Sequence, residues 1–130
     1  MVIQLPYPPS VNHYWRRVGH RTLISREGRT FRRNVCALLG GSGRPPRNGR
    51  IALCMDAFPP DRRRRDLDNL QKPLLDALEH AGIYEDDSQI DLLVTRRMMI
   101  CPSGQIVVHI GTLPLRRCIV CGSILAGEDN

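Results

Sequence analysis

Two stretches of the chain repeat apolar residues at intervals of three and four, which is the pattern of a helix with one buried face. The first stretch follows Ser25, a residue type that commonly caps a helix N-terminus. Gly40 and Gly41 are expected to end this helix. Its predicted apolar stripe consists of Phe31, Val35, Leu38 and Leu39.

The second stretch predicts the clearest helix of the chain. Asp68 followed by Gln71 fits a capping box, so the helix is predicted to begin near Asp68 and to end at Gly82. Pro73 lies past the first turn and is expected to bend the helix, since it lacks a backbone donor. The predicted apolar face consists of Leu67, Leu70, Leu74, Leu78 and Ala81.

Five stretches rich in apolar and β-branched residues predict strands. They are residues 2–5, 13–24 (two short strands around a turn at 18–20), 51–58, 90–100 and 105–113. The last two are expected to form a hairpin through the turn at 102–104, and residues 40–49 are expected to be a flexible basic loop.

The order of these elements predicts an α+β fold, in which two main helices pack on one small mixed β-sheet. The 130 residues are enough for a single domain with its own core. We place that domain at residues 1–113 and a C-terminal tail at residues 114–130.

Composition then narrows the class of protein. No apolar run is long enough to span a bilayer, and the first residues lack the pattern of a signal peptide, so no membrane association is expected. The five cysteines have no framework spacing, which favours reduced thiols and a cytoplasmic location. Four scattered histidines match no hydrolase motif.

Charge is segregated along the chain, although the net charge is only +6. Residues 1–55 hold ten arginines and a single acid, Glu27, whereas ten of the 13 acids lie between Asp56 and Asp91. A basic body around an acidic centre favours a polyanionic partner and a site that holds cations. The alternative is a basic protein with an acidic loop.

Carboxylates frame the second helix. Asp66 and Asp68 are expected to point to the same side of the segment before it, and Asp86 and Asp87 follow it. A helix of about 14 residues is roughly 21 Å long, so the pairs meet only if the chain or a second subunit brings them together. Carboxylates about 4 Å apart repel by about 4 kcal/mol each pair, so a gathered cluster requires Mg²⁺ or Mn²⁺. The alternatives are a helix cap for Asp68 and a solvated turn for Asp86 and Asp87.

Basic residues adjoin these acids. Lys72 is the only lysine in the chain and follows Asp68 by one turn, where it would stabilise charge on a phosphate or simply pair with Asp68. Tyr14 and Trp15 are candidates either for stacking on bases or for the core. The candidate DNA-binding residues are Arg62, Arg63, Arg64, Arg65, Arg16, Arg17, Arg29, Arg32 and Arg33.

Residues 60–90, PDRRRRDLDNLQKPLLDALEHAGIYEDDSQI, strongly resemble the RusA family of Holliday-junction resolvases. The segments LPYPPSVNHYWR and HRTLISREGRTFRRNV extend the resemblance to about residues 3–113. It implies a homodimeric, Mg²⁺-dependent endonuclease that cuts four-way DNA junctions symmetrically, encoded by a bacterium or a phage. It also implies that Asp66, Asp68 and Asp87 bind the metal, that Asp86 supports them, and that Lys72 acts in cleavage.

Two other functions stay open: a metal nuclease for flaps or other branched DNA, and a non-catalytic DNA-binding protein. The second would gain nothing from acids that repel phosphate. The tail departs from the family pattern, because Cys118 and Cys121 have the C-x-x-C-G spacing of half a zinc site. The other ligands would be the same pair from a dimer mate, or Cys101 with a histidine; otherwise the pair is a reduced dithiol.

Overall fold

The computed structural model describes residues 1–40 and 49–126. The basic loop predicted at 40–49 therefore lies outside the described residues except at its two ends, and so does Gly41. Strands are β1 (Val2–Leu5), β2 (Trp15–Val18), β3 (Arg21–Ile24), β4 (Ile51–Phe58), β5 (Ile90–Arg97) and β6 (Gln105–Thr112). Helices are α1 (Val11–Tyr14), α2 (Arg26–Leu39) and α3 (Asp68–His80), and a short 3₁₀ turn spans Asp87–Gln89.

Four of the strands form a mixed sheet in the order β1-β6-β4-β5, and β2 and β3 form a separate hairpin. The central strand β4 is antiparallel to β6 and parallel to β5. Alternate residues of β4 face the core, where they meet the apolar faces of α2 and α3. The predicted α+β class, with two main helices on a mixed sheet, is confirmed.

The hairpin predicted from residues 90–113 is wrong. Strand β4 lies between β5 and β6, so these two strands are not neighbours. The reason is the burial of β4, whose residues from Ile51 to Ala57 are all buried, because a strand inside a sheet needs hydrogen-bonded partners on both edges. Strand β5 also ends at Arg97, before the predicted limit at residue 100.

Helix α2 begins as predicted. The Ser25 side chain accepts a hydrogen bond from the Gly28 backbone N–H at 3.0 Å, which satisfies one of the free amides of the first turn. Leu38, however, is 56% exposed, so its place in the apolar stripe was predicted wrongly. Phe31, Val35 and Leu39 are buried as expected.

Helix α3 begins at Asp68, but the predicted capping box does not form. Leu67 is the cap residue and makes no side-chain cap bond, and the Gln71 amide instead donates to the Thr95 hydroxyl at 2.8 Å. Pro73 lies inside the helix with its ring buried. The helix ends before Gly82, whose φ of 82° is the left-handed conformation that glycine adopts readily.

The short helix α1 was not predicted, and it decides the role of Tyr14. This residue is fully buried and packs edge-on against Phe31 of α2. Trp15 is half-buried and packs beside it, with the two ring centroids 4.8 Å apart. Tyr14 therefore belongs to the core and does not stack on bases. None of the described helices is both long and apolar enough to cross a membrane.

Candidate active site

The segment after α3 folds back along the helix and places Asp87 beside it. Ile83 and Tyr84 are buried, and the Tyr84 hydroxyl donates to the carbonyl of Leu75 in the middle of α3 at 2.5 Å. As a result, an oxygen of Asp87 lies 3.3 Å from the ammonium of Lys72, which belongs to the second turn of α3. From the length of the helix, the acids that follow it were expected to lie far from those at its start. The return of the chain reduces that distance within one chain, because it brings Asp87 to the second turn of α3.

Lys72 pairs with Asp87, so the alternative pairing with Asp68 is not the ion pair that forms. The side chains of Lys72 and Asp87 are 60% and 41% exposed, respectively. Such an exposed pair contributes at most about 1 kcal/mol to stability. The fold therefore depends little on this ion pair.

Asp87 of this pair also belongs to a cluster of three carboxylates. Glu79, Asp86 and Asp87 each offer an oxygen atom within 4.8 Å of the others. Burial, and then the charges of Asp87 and Asp86, raise the pKa of Glu79. Like charges this close disfavour full ionisation, so a bound cation would relieve the repulsion.

Glu79 is the residue that the sequence analysis missed. It follows Lys72 by seven positions, which is two helical turns, so the two residues share one face of α3. That spacing was a usable signal. It becomes informative only when Asp87 is known to lie against the same face.

Asp86 has a structural role of its own. It caps the 3₁₀ turn Asp87–Gln89, where its carboxylate accepts a hydrogen bond from the Ser88 backbone N–H at 2.9 Å. The Gln89 side chain completes a capping box by accepting from the backbone N–H of Asp86 at 3.2 Å. The bonds from Ser88 hold the pKa of Asp86 below its usual value. These hydrogen bonds define the turn that begins at Asp87.

Asp66 and Asp68 do not join the cluster of Glu79, Asp86 and Asp87. Both are exposed at the start of α3, and within residues 1–40 and 49–126 the only group of three potential ligands within 4.8 Å excludes them. Lys72 lies between the two sets, one turn after Asp68 and in contact with Asp87. The structure thus brings together Lys72, Asp87 and Asp86. Asp68 lies one turn before Lys72 on α3, and Asp66 precedes the helix by two residues.

A cleft lined by arginines opens beside Asp66. Its walls come from the N-terminal segment before α1 and from the loop before α3. Arg62, Arg63 and Arg64 are exposed, so their charges can attract an anionic backbone. The principal lining residues are Tyr7, His13, Arg63, Arg64, Asp66 and Asn69.

Arg65 differs from the other arginines of this run. It pairs with Asp61 at 2.7 Å, and its guanidinium lies 5.8 Å from the centre of the Tyr7 ring. The hydrogen bond from Arg65 is the main cause that lowers the pKa of Asp61 to about 2. Arg65 therefore shapes the loop that presents its neighbours.

Comparison with known proteins identifies the family of this chain. Residues 6–110 match the family model described as endodeoxyribonuclease RusA, which includes Asp66, Asp68, Lys72, Asp86 and Asp87. The chain belongs to the RusA family.

Three RusA relatives illustrate the similarity. The crossover junction endodeoxyribonuclease rusA of Enterobacteria phage HK97 is 42% identical over 110 residues, which cover 84% of this chain and 92% of that protein. The protein of that name in Enterobacteria phage 82 is 40% identical over 114 residues, covering 83% and 91% of the two chains. That of Escherichia coli strain K12 is 38% identical over 114 residues, with the same coverage.

The candidate DNA-binding arginines outside residues 60–90 fall into two groups. Arg16, Arg17, Arg29 and Arg33 are exposed, as a DNA-binding role requires. Arg32, by contrast, pairs with Asp76 of α3 at 2.7 Å, and the Tyr14 hydroxyl also donates to that carboxylate. Burial, together with the Asp76 hydrogen bond, raises the pKa of Tyr14. Arg32 therefore ties α1, α2 and α3 together.

We expect Arg32→Ala to lower the free energy of unfolding by about 1.5–3 kcal/mol, since it removes charge-assisted hydrogen bonds to a partly buried Asp76. The neighbouring exposed Arg33→Ala is the matched control and should change stability by less than about 0.5 kcal/mol. Urea unfolding followed by circular dichroism measures both. Equal stability of the two variants would contradict the structural role of Arg32.

Proposed function

We propose that this protein is a crossover junction endodeoxyribonuclease, which resolves four-way DNA junctions by paired nicks in opposing strands. The observation that carries the proposal is the RusA match across residues 6–110, which includes Asp66, Asp68, Lys72 and Asp87. The contact between Lys72 and Asp87 supports it, because an ammonium beside a carboxylate suits a site for phosphate chemistry.

The donor set fits a hard divalent cation. The candidate ligands are all carboxylates, a donor type that favours Mg²⁺ or Mn²⁺ over zinc. Of these candidates only Asp86 and Asp87 belong to the cluster with Glu79, whereas Asp66 and Asp68 lie outside it. We assign Asp66, Asp68 and Asp87 as the residues that would hold Mg²⁺, with Asp86 as a supporting acid and Mn²⁺ as a substitute. When bound, the ion supplies an activated water and polarises the scissile phosphate.

The residues of the chain have separate roles in this proposal. Arg63 and Arg64 line the cleft beside Asp66 and attract the DNA backbone towards carboxylates that would otherwise repel it. The ammonium of Lys72 donates hydrogen bonds to the phosphate oxygens and stabilises the charge that develops on them. Asp87 holds this ammonium in place from the side of the 3₁₀ turn.

We also propose that the protein acts as a homodimer. A four-way junction is nearly two-fold symmetric, so two sites related by a two-fold axis would nick opposing strands in the same way. A second copy also offers a further source of carboxylates near Asp66 and Asp68, which lie apart from Asp87 in the single chain. Because the substrate is branched DNA of a bacterium or a phage, we place the protein in the bacterial cytoplasm.

We expect Arg64→Ala to weaken junction binding and to reduce the slope of log K against log salt concentration by about 1, which corresponds to one lost phosphate contact. The control is Arg116→Ala, since Arg116 is exposed and does not line the cleft. Electrophoretic mobility shifts at several salt concentrations measure both. An unchanged slope in Arg64→Ala would remove this residue from the DNA interface.

The direct test compares a four-way junction, a flap and a linear duplex as substrates, each with and without Mg²⁺. We expect cleavage of the junction at symmetric positions, at least about tenfold faster than the other substrates, and only with the metal. Faster cleavage of flaps would replace the proposal with a different branched-DNA nuclease. Junction binding without cleavage in either Mg²⁺ or Mn²⁺ would indicate a non-catalytic DNA-binding protein.

A further inference from the structure

The C-terminal tail is folded onto the sheet, although it lies beyond the RusA match at residues 6–110. Leu115 and Ile119 pack against Gly111 of β6, where a Cβ atom would lie only 2.6 Å from the Leu115 Cδ2 atom and 3.3 Å from the Ile119 Cδ1 atom. A larger residue at position 111 would require these two side chains to move. The first part of the tail therefore lies against β6.

Residues 117–124 of the tail form a tight turn that contains Cys118 and Cys121. Arg117 and Ile124 form an isolated β-bridge, and the Cys118 backbone N–H donates to the Ser123 carbonyl at 2.8 Å. Within this ladder the Gly122 N–H donates to the Cys118 carbonyl, also at 2.8 Å. Gly122 has a φ of 75°, a conformation that favours glycine. The hairpin therefore holds Cys118 and Cys121 on one short, defined turn.

The two thiols are accessible. Cys118 is partly exposed and Cys121 is exposed. The Cys121 sulfur lies 3.0 Å from the Ser123 hydroxyl. Two sulfur ligands separated by two residues on a tight turn are the spacing of a structural zinc site.

One chain supplies only half of such a site. A structural zinc ion takes four ligands, and among the described residues neither cysteine belongs to a group of three potential ligands within 4.8 Å. His109 of the adjacent β6 is engaged by Asp56, with 3.1 Å between the His109 Nε2 and Asp56 Oδ2 atoms. Cys101 precedes β6 whereas the tail follows it, so the strand separates them. Cys101 with a histidine is therefore a poor source of the missing ligands.

We propose that Cys118 and Cys121 form half of a Cys₄ zinc site, which the same two cysteines of a second copy of this chain complete. Two-fold symmetry supplies the second pair without any further ligand. The surroundings suit a second copy, because Val120, Ile124 and Leu125 are apolar and 38%, 75% and 41% exposed, respectively. Such side chains on one small hairpin gain from being covered.

The charge of the turn also suits this occupant. Four thiolates around one Zn²⁺ leave a net charge of −2, and each copy places arginines beside its cysteines. The Arg117 guanidinium donates to the Gly122 carbonyl at 3.2 Å, so it lies over the turn itself. The site would therefore link two tails and is independent of the acids around Lys72.

The test is the zinc content of the full chain, purified under reducing conditions and reconstituted with Zn²⁺ without oxygen. We expect about one zinc per two chains by elemental analysis, and zinc only on paired chains in native mass spectrometry. Substitution with Co²⁺ should give the charge-transfer bands of a tetrahedral thiolate site. The double variant Cys118→Ser, Cys121→Ser should lose the metal, whereas Cys101→Ser should keep it.

Other outcomes would overturn the proposal. One zinc per chain, lost in His109→Ala, would show a site completed within the chain. Failure to bind Zn²⁺ while mild oxidation forms a Cys118–Cys121 disulfide would show a redox pair instead. Since the acids and Lys72 are intact in the cysteine variant, its junction cleavage reports on the proposed nuclease function separately.

Discussion

Asp68→Asn is expected to reduce junction cleavage by at least about a hundredfold while it leaves junction binding within about twofold. Loss of a group that only orients a metal ligand typically costs 10- to 100-fold, so loss of a ligand itself should cost at least the upper value. Binding should persist because, in the proposed interface, the arginines that line the cleft make the phosphate contacts, and removing a negative charge does not weaken such contacts. Asp68 is exposed and makes no cap bond, so the fold should also tolerate the change.

Asp91→Asn is the matched control for this experiment. Asp91 is another exposed carboxylate of the acidic region, but it is engaged by Arg50 and lies outside the proposed ligand set. Cleavage rates at saturating protein, together with mobility shifts in Ca²⁺, separate catalysis from binding. Loss of binding in parallel with cleavage in Asp68→Asn, with a native Asp91→Asn, would contradict a metal-binding role for Asp68.

The strands and helices of this fold follow from local pattern, but the order of the strands does not. Residues 51–58 are apolar almost throughout, which predicts a strand buried on both faces. That pattern did not reveal which strands flank it. The turn at 102–104 resembled a hairpin connection, yet the chain passes over β4 there, and the Cys101 N–H bonds to the Pro59 carbonyl beyond the end of β4. Pairing partners depend on the whole sheet and not on the turn alone.

The candidate site shows the same limit. The acids of the motif and Lys72 were predictable from residue type and spacing, whereas the contact between Lys72 and Asp87 required the return of the chain along α3. That return depends on the burial of Tyr84 and on its hydrogen bond to the Leu75 carbonyl, and no periodicity in the sequence predicts either. The pairing of Arg32 could not be predicted for a related reason. The charge of Arg32 was evident from the sequence, but Asp76, which accepts its hydrogen bonds, lies 44 positions away in the chain.

Lys72 can be modified chemically without modifying another side-chain amine, since it is the only lysine among the 19 basic residues. Reagents that modify amines therefore reach Lys72 and the chain N-terminus alone. Selective acylation of the N-terminal amine gives a protein that is modified at that amine alone. That singly modified protein is the control for every modification of Lys72.

Lys72→Ala is expected to lower junction cleavage by about a hundredfold or more, as the loss of one group that stabilises developing charge usually does. The free energy of unfolding should change by less than about 1 kcal/mol, because the lysine and Asp87 form an exposed pair. Acetylation of the wild-type lysine should reproduce the loss, whereas dimethylation, which keeps the charge, should spare part of the activity. Single-turnover cleavage of labelled junctions measures each rate. An acetylated protein as active as the N-terminally modified control would exclude the ammonium from the reaction and reduce its contact with Asp87 to a surface ion pair.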